Sequence, residues 1–335
     1  MKKILTLILA LTMLFALAAC GQSAAPAAAP AAAPADSSDD VVEVTDGFVV
    51  GICQLVQHPA LDAATQGFKD ALTAKLGDQV SFIEQNASGD VPTCSVICSQ
   101  FVGEDVDLIM ANATPALLAA QSATGTIPVL GTSVTDYASA LEIENWSGAT
   151  GTNISGTSDR VPESEQAKIL NELFPDAGTV GLLFCSAEPN SRVQVDAITP
   201  VLEGMGYAVK EFVFADSNDV AQVTATACDE SDVLYIPTDN TAASNSELIS
   251  NVALNAKTPI IAGEEGLCKG CGVATLSISY YSLGQVTGEM AFEILVNGKD
   301  PGEMEIQYAP FTKKFDADIC AALGITVPAD YEAIE

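Results

Sequence analysis

The chain reads as an α/β protein made of two doubly wound lobes, and three observations lead there. Short apolar runs alternate with helix-period segments through most of its 335 residues. Such alternation builds parallel strands covered by helices. The pattern stops and restarts near residues 150–155, which gives two series, 48–152 and 178–275, each about the size of one lobe. A further strand, a strong amphipathic helix and two extended segments then follow. Two lobes trailed by such a tail imply a chain that crosses between them more than once.

Residues 48–55 (FVVGICQL) form an apolar strand. Residues 59–76 follow as a helix with Leu61, Ala64, Phe68, Ala71, Leu72 and Leu76 on one face. Strands at 80–83, 107–111 and 127–130 alternate with helices at 91–102 and 115–123. The second series opens with a helix at 162–174, a strand at 180–184 and a helix at 193–205. Segments 209–214, 220–228, 233–237, 242–256 and 259–262 continue the alternation. A strand at 273–277, a helix at 280–296, extended runs at 306–308 and 311–315 and a short helix at 316–323 complete the chain. Crossings are expected near 149–154, 276–279 and 307–311. The expected lobes are therefore 44–152 plus 279–306, and 153–278 plus 307–335.

Ahead of the folded part lies an export signal. Met1-Lys2-Lys3 is a basic start, residues 4–16 are apolar, and Leu17-Ala18-Ala19-Cys20 closes the run. Small residues before a cysteine in that position resemble the bacterial lipoprotein lipobox. In that reading residues 1–19 are removed and Cys20 carries a lipid that anchors the protein outside the cytoplasm. The competing reading is a plain secretory signal with a chance cysteine. Residues 23–35 are almost only Ala and Pro, and 36–40 are polar. Regularly spaced prolines prevent a helix there, so 20–43 reads as a tether.

The formal charge of −31 disfavours nucleic acid and anionic membrane faces as partners. Cysteines beyond Cys20 sit largely in apolar runs, as buried thiols do. Cys94 and Cys98 are one helical turn apart. Cys268-Lys269-Gly270-Cys271 is a CxxC in a Gly-rich loop: a redox pair, half a zinc site or a loop staple. No second CxxC and no nearby histidine accompany it, so a metal site is not expected.

In each lobe the carboxyl ends of the strands are the ligand edge. The first lobe offers hydroxyls and helix starts there: Gln57 before the first helix, Thr114 beside Pro115, and Thr132, Ser133 and Thr135 after the fourth strand. Such groups hold a carboxylate. The second lobe offers acids and amides: Glu188, Asn190, Asp239, Asn240, Glu264 and Glu265. Those suit an ammonium. Only Arg160 and Arg192 occur in the whole chain, so an arginine clamp on phosphate is not expected. A neutral anion-binding edge facing an acidic one fits a zwitterion. For Asp239 the competing reading is a helix cap; its place among six polar strand ends favours ligand contact.

Catalysis finds little support. His58 is the only histidine, GxSxG and HExxH are absent, and Gly263-Glu-Glu-Gly266 is too short to cradle phosphate. Neither an enzyme nor a cofactor is expected. An exported redox protein using Cys268 and Cys271 remains a competing reading.

Taken together, Gln57-His-Pro-Ala-Leu-Asp62, Thr114-Pro115, Gly156-Thr-Ser-Asp159, Glu188-Pro-Asn-Ser191, Pro237-Thr-Asp-Asn-Thr241, Gly263-Glu-Glu-Gly266 and Tyr280-Tyr281 resemble the ABC-transporter substrate-binding lipoproteins that include tryptophan- and tyrosine-type binding proteins. The resemblance covers about residues 47–325. It implies a type I periplasmic-binding-protein fold: two Rossmann-like lobes that close on a ligand about a multi-crossover hinge. It also implies a monomer that delivers an amino acid, aromatic by that likeness, to an ABC permease and ATPase. Alternatives within the same fold are a ligand-sensing lipoprotein, or a binder of a branched-chain amino acid or a sugar.

Overall fold

The computed structural model describes residues 47–334. The expected signal segment, the tether and Cys20 lie outside them. In the first lobe the elements are β1 (Phe48–Gln54), α1 (Pro59–Leu76), β2 (Val80–Asn86), α2 (Val91–Gly103), β3 (Leu108–Asn112), α3 (Thr114–Ala123), β4 (Val129–Val134), α4 (Tyr137–Ala140) and β5 (Ile154–Ser158). The second lobe continues with α5 (Glu163–Leu173), β6 (Thr179–Cys185), α6 (Pro189–Gly204), β7 (Ala208–Phe214), α7 (Val220–Glu230), β8 (Val233–Ile236), α8 (Asn240–Ser244), α9 (Ser246–Ala256), β9 (Ile260–Ala262), α10 (Glu265–Cys271) and β10 (Ala274–Ser277). The chain then runs through α11 (Tyr280–Leu295), β11 (Gln307–Tyr308), β12 (Thr312–Phe315), α12 (Ala317–Leu323) and β13 (Glu332–Ala333).

One sheet has the order β11-β5-β4-β3-β1-β2 and the other β13-β12-β10-β9-β8-β6-β7. Every pairing is parallel except β10 with β12. Central strands such as β3 and β8 are buried along their whole length, whereas edge strands β2 and β7 alternate. Strands covered by helices on both sides need continuous apolar runs, and edge strands do not. The sequence pattern therefore places most strands.

One crossing lies elsewhere than expected. β5 pairs with β4, and β11 pairs with β5, so both belong to the first sheet. The first crossing is therefore 159–162 rather than 149–154, and sheet membership carries the first lobe past residue 152. The strand was hidden because its buried side chains are hydroxyls. Thr157 Oγ1 meets Thr132 Oγ1 at 3.2 Å and Thr287 Oγ1 at 2.9 Å, and Ser155 donates to the Met304 carbonyl at 3.0 Å. The chain passes between the sheets again at 278–279 and 309–311, and β11 carries the first sheet past residue 306, where the expected lobe ended.

Two further readings change. The segment 242–256 is not one helix: it breaks at Asn245 into α8 and α9. The CxxC segment is helical, because Glu264 caps the start of α10 through the N–H groups of Gly266 and Leu267.

α1 and α11 pack backbone to backbone. A Cβ on Gly67 would strike the carbonyl of Tyr281, and one on Gly284 the carbonyl of Ala64. Only glycine permits that approach. It seats Ala60 and Ala64 of α1, with Tyr280 and Leu283 of α11, in one apolar cluster with Tyr235, Leu170 and Leu202 of the second lobe. The hinge side of the molecule is thus a shared core.

Candidate ligand-binding cleft

On the first lobe, the ends of β1, β3 and β4 meet the starts of α1 and α3. Neither helix has a side chain capping its first turn, and each carries proline at its start. Thr114 and Ala116 in the first turn of α3 are buried, so their N–H groups sit in a dry place with the positive end of the helix dipole. The hydroxyls of Thr114 and Ser133 are buried and lack partners among the described residues. Ala113 (φ 92°) and Ser133 (φ 55°) are both non-glycine residues at positive φ, and strain of this kind gathers at ligand sites. Thr132 and Thr135 are already engaged, with Thr157 and Asp159 respectively. Gln57 is exposed.

On the second lobe, the acids are engaged internally. Glu188 accepts five hydrogen bonds: from the N–H and hydroxyl of Thr241, from the N–H and side-chain amide of Asn240, and from Asn190. Asp239 caps α8 through the N–H of Ala242 at 2.8 Å, and its other oxygen accepts from Cys185 N–H and Ser191 Oγ, both at 2.7 Å. This is the cap reading of Asp239. A carboxylate offers about four lone-pair sites, so an ammonium role for Asp239 rests on the one that remains. Burial, with Glu188 nearby, pushes Asp239 up to about 8. Glu265 pairs with Lys314 at 2.8 Å.

Two other carboxyls are less committed. Asp159 lies in the first crossing and accepts from Thr135 (3.2 Å) and from the Tyr280 hydroxyl (2.9 Å). Glu264 accepts only the two N–H groups that it caps. Both are at most 5 % exposed, and neither has a cationic partner among the described residues. Burial raises both; for Glu264, to about 7, the Asp159 charge adds to the rise. Buried acids without a counter-ion are where a ligand ammonium lowers the energy. Sequence reasoning missed Asp159, because β5 did not read as a strand and so no strand end was sought there.

The two edges face each other. A cavity of ≈ 210 Å³ lies between Thr114, Asp136 and Ser139 on one side and Pro189, Asn190 and Arg192 on the other. Asn190 Oδ1 is buried and without a partner among the described residues. Across the lobes, His58 Nε2 lies 3.1 Å from Asn240 Oδ1. Both arginines are committed to acids: Arg160 to the half-buried Asp136 and the buried Glu163, Arg192 to the exposed Asp196 and Glu211.

The eight described cysteines are free and buried. Burial raises Cys268 and Cys271 far above the ordinary thiol range, which opposes the thiolate that redox exchange requires. Among the described residues no group of three or more histidine, cysteine or carboxylate side chains is placed to hold a metal, and no helix is long and apolar enough to cross a membrane.

Comparison with known proteins supplies the context. The family profile described as ABC transporter substrate binding protein matches residues 49–330. A tyrosine-binding protein of Clostridioides difficile (strain R20291) is 37 % identical over 309 residues, covering 91 % of this chain and 87 % of that protein. The solved ABC domain from Streptococcus pneumonia in complex with L-Trp is 28 % identical, covers 87 % of this chain and 100 % of that one, and superposes with a TM-score of 0.82. A substrate-binding protein with adhesive properties from Clostridium difficile, solved ligand-free and open, is 37 % identical over 86 % of this chain and 99 % of that one, with a TM-score of 0.65. The less identical, L-Trp-bound structure thus superposes better than the open one. The His58–Asn240 contact brings the two edges together at one point.

Proposed function

The chain belongs to the ABC transporter substrate-binding protein family, and from that premise we propose that it captures an aromatic amino acid, tryptophan or tyrosine, between its lobes. Its relatives bind these molecules. The observation that carries the reading is a set of buried polar groups with opposite, unmet needs at the strand ends and the first crossing. Uncapped helix starts and the free hydroxyls of Thr114 and Ser133 suit a carboxylate. The counter-ion-free acids Asp159 and Glu264 suit an ammonium. Asn190, with its unpaired oxygen, and Asn240 stand on the facing edge. Glu188 and Asp239 hold that edge in shape, and Gln57 and Thr135 complete the set around it.

Mechanistically, ligand bridging both lobes favours the closed form by its differential affinity for that form. The crossings 159–162, 278–279 and 309–311 are the segments about which the lobes turn. On this reading lobe one is 47–158 plus 280–308, and lobe two is 163–277 plus 312–334. The closed protein delivers its cargo to an ABC permease and ATPase for import, as a monomer held on the outer side of the cell membrane by lipid on Cys20.

A thermal-shift panel over amino acids, sugars and nucleosides tests the ligand class. Tryptophan or tyrosine is expected to raise the melting temperature most. A panel in which no amino acid shifts it sinks the reading.

A further inference from the structure

His58 is the only histidine of the chain, and it stands at the head of α1 without capping it. Its backbone is extended (φ −161°, ψ 163°), as is usual for a residue that precedes a helix. Nε2 meets Asn240 Oδ1 of the second lobe at 3.1 Å. The amide of Asn240 is itself oriented, because its Nδ2 donates to Glu188 at 2.6 Å. Its oxygen is therefore the acceptor, and Nε2 must carry the hydrogen. That assigns the tautomer: Nδ1 holds a lone pair. This Nδ1 is buried and has no partner among the described residues. The ring as a whole is only 6 % exposed.

We propose that neutral His58 is a ligand-reading latch: Nε2–H closes the cleft onto Asn240, and Nδ1 accepts a hydrogen bond from a donor group of the bound molecule. The inference rests on the amino-acid reading above and names one more residue of that site. An imidazolium has no lone pair for a ligand donor, and its charge would be buried between the lobes. The charged groups around it are Asp62 from α1 itself, Glu188 from the turn before α6 and, beyond Pro59, Glu264 at the start of α10. Those acids favour the charged ring, yet burial outweighs them, and the imidazole is held below its ordinary range. The sign follows. Closure lowers the proton affinity of the ring, so acid favours the open, ligand-free protein.

Because His58 is alone, its ring nitrogens are read in the intact protein without any substitution. Nitrogen-15 spectra of the imidazole, recorded across a pH titration with and without L-tryptophan and L-tyrosine, give both tautomer and midpoint. With ligand bound we expect the Nε2–H form, a hydrogen-bonded Nδ1 and a midpoint lower than in the free protein. A bound ring in the Nδ1–H form, or titration curves that coincide with and without ligand, would overturn the latch while leaving amino-acid binding intact. If neither amino acid binds, the functional reading falls and the latch with it. As a second readout, His58→Gln is expected to speed ligand release by about tenfold, the usual worth of one hydrogen bond, and to remove the ring's part of the acid dependence. Release at the wild-type rate with unchanged acid dependence would also refute it.

Discussion

The hydroxyl of Tyr280 donates to Asp159 Oδ2 at 2.9 Å, so the start of α11 is tied to the first crossing between the lobes. Both side chains are buried. Replacing Tyr280 by Phe keeps the ring and leaves Asp159 with Thr135 as its only side-chain donor. A buried polar group that loses a partner costs about 1–3 kcal/mol. Urea unfolding of Tyr280→Phe is expected to show a loss of that order. An unchanged midpoint would mean that the tie contributes nothing to holding the crossing.

Asp239 gives a pH dependence with a definite sign. Its folded value, about 8, lies above the ordinary 3.8, so folding favours the protonated form. That contribution is complete below the ordinary value and is lost as pH rises through about 8. Melting temperature of the free protein is expected to fall across this window, and Asp239→Asn, which cannot ionise, should flatten that part of the curve. Asp239→Ala removes the cap of α8 as well, at a cost of about 0.5–2 kcal/mol for the cap alone. A profile that Asp239→Asn leaves unaltered would assign the titration to another group.

How far the sequence reached depends on what each segment buries. β1, α1, β6 and α11 were legible because an apolar run or stripe marks each one. β5 was not, since Ser155, Thr157 and Ser158 fill a fully buried strand with hydroxyls that are satisfied by neighbouring elements. α10 was hidden because a glycine-rich stretch was made helical by a cap from outside its own span, Glu264. The site followed the same division. Thr114 and Ser133 were singled out for their place at strand ends, and their hydroxyls have no partner among the described residues. Whether an acid is spent on backbone N–H groups, as Glu188 and Asp239 are, or left without a cation, as Asp159 is, depends on three-dimensional neighbours that no spacing reveals.

The contact between α1 and α11 predicts an intolerant position. Gly67→Ala places a methyl against the backbone carbonyl of Tyr281, and backbone cannot swing aside as a side chain can. Overpacking of this kind costs about 1–3 kcal/mol or more. Differential scanning calorimetry should show a clear drop in melting temperature for Gly67→Ala, whereas Gly103→Ala, which meets open space, serves as the matched control. Equal melting temperatures for the two variants would refute the close packing.

Glu264 predicts proton release on binding. In the free protein its value is raised to about 7, chiefly by burial. An ammonium beside it would favour the ionised form. Ligand binding somewhat below that pH should therefore release protons, and affinity should fall as pH drops through the same range. Calorimetry in two buffers of different ionisation enthalpy measures the release directly. The amount released is expected to shrink in Glu264→Gln; equal enthalpies in both buffers for the wild type would rule out an ammonium at this carboxyl.

Thr114 and Ser133 separate binding from stability. Their hydroxyls lack partners among the described residues, so the free protein loses no hydrogen bond when they are removed. Thr114→Val keeps the shape of the side chain, and Ser133→Ala keeps all but one atom. Neither is expected to lower the melting temperature of the free protein; relieving a buried unsatisfied hydroxyl could even raise it slightly. A hydroxyl that donates to a ligand carboxylate forms a charge-assisted bond worth about 1.5–3 kcal/mol, so each variant should weaken tryptophan or tyrosine by roughly ten- to hundredfold. Isothermal titration beside thermal melting reads both quantities on one preparation. Unchanged affinity in both variants would remove the first-lobe edge from the carboxylate site, whereas a loss of stability matching the loss of affinity would show that the hydroxyls serve the fold instead.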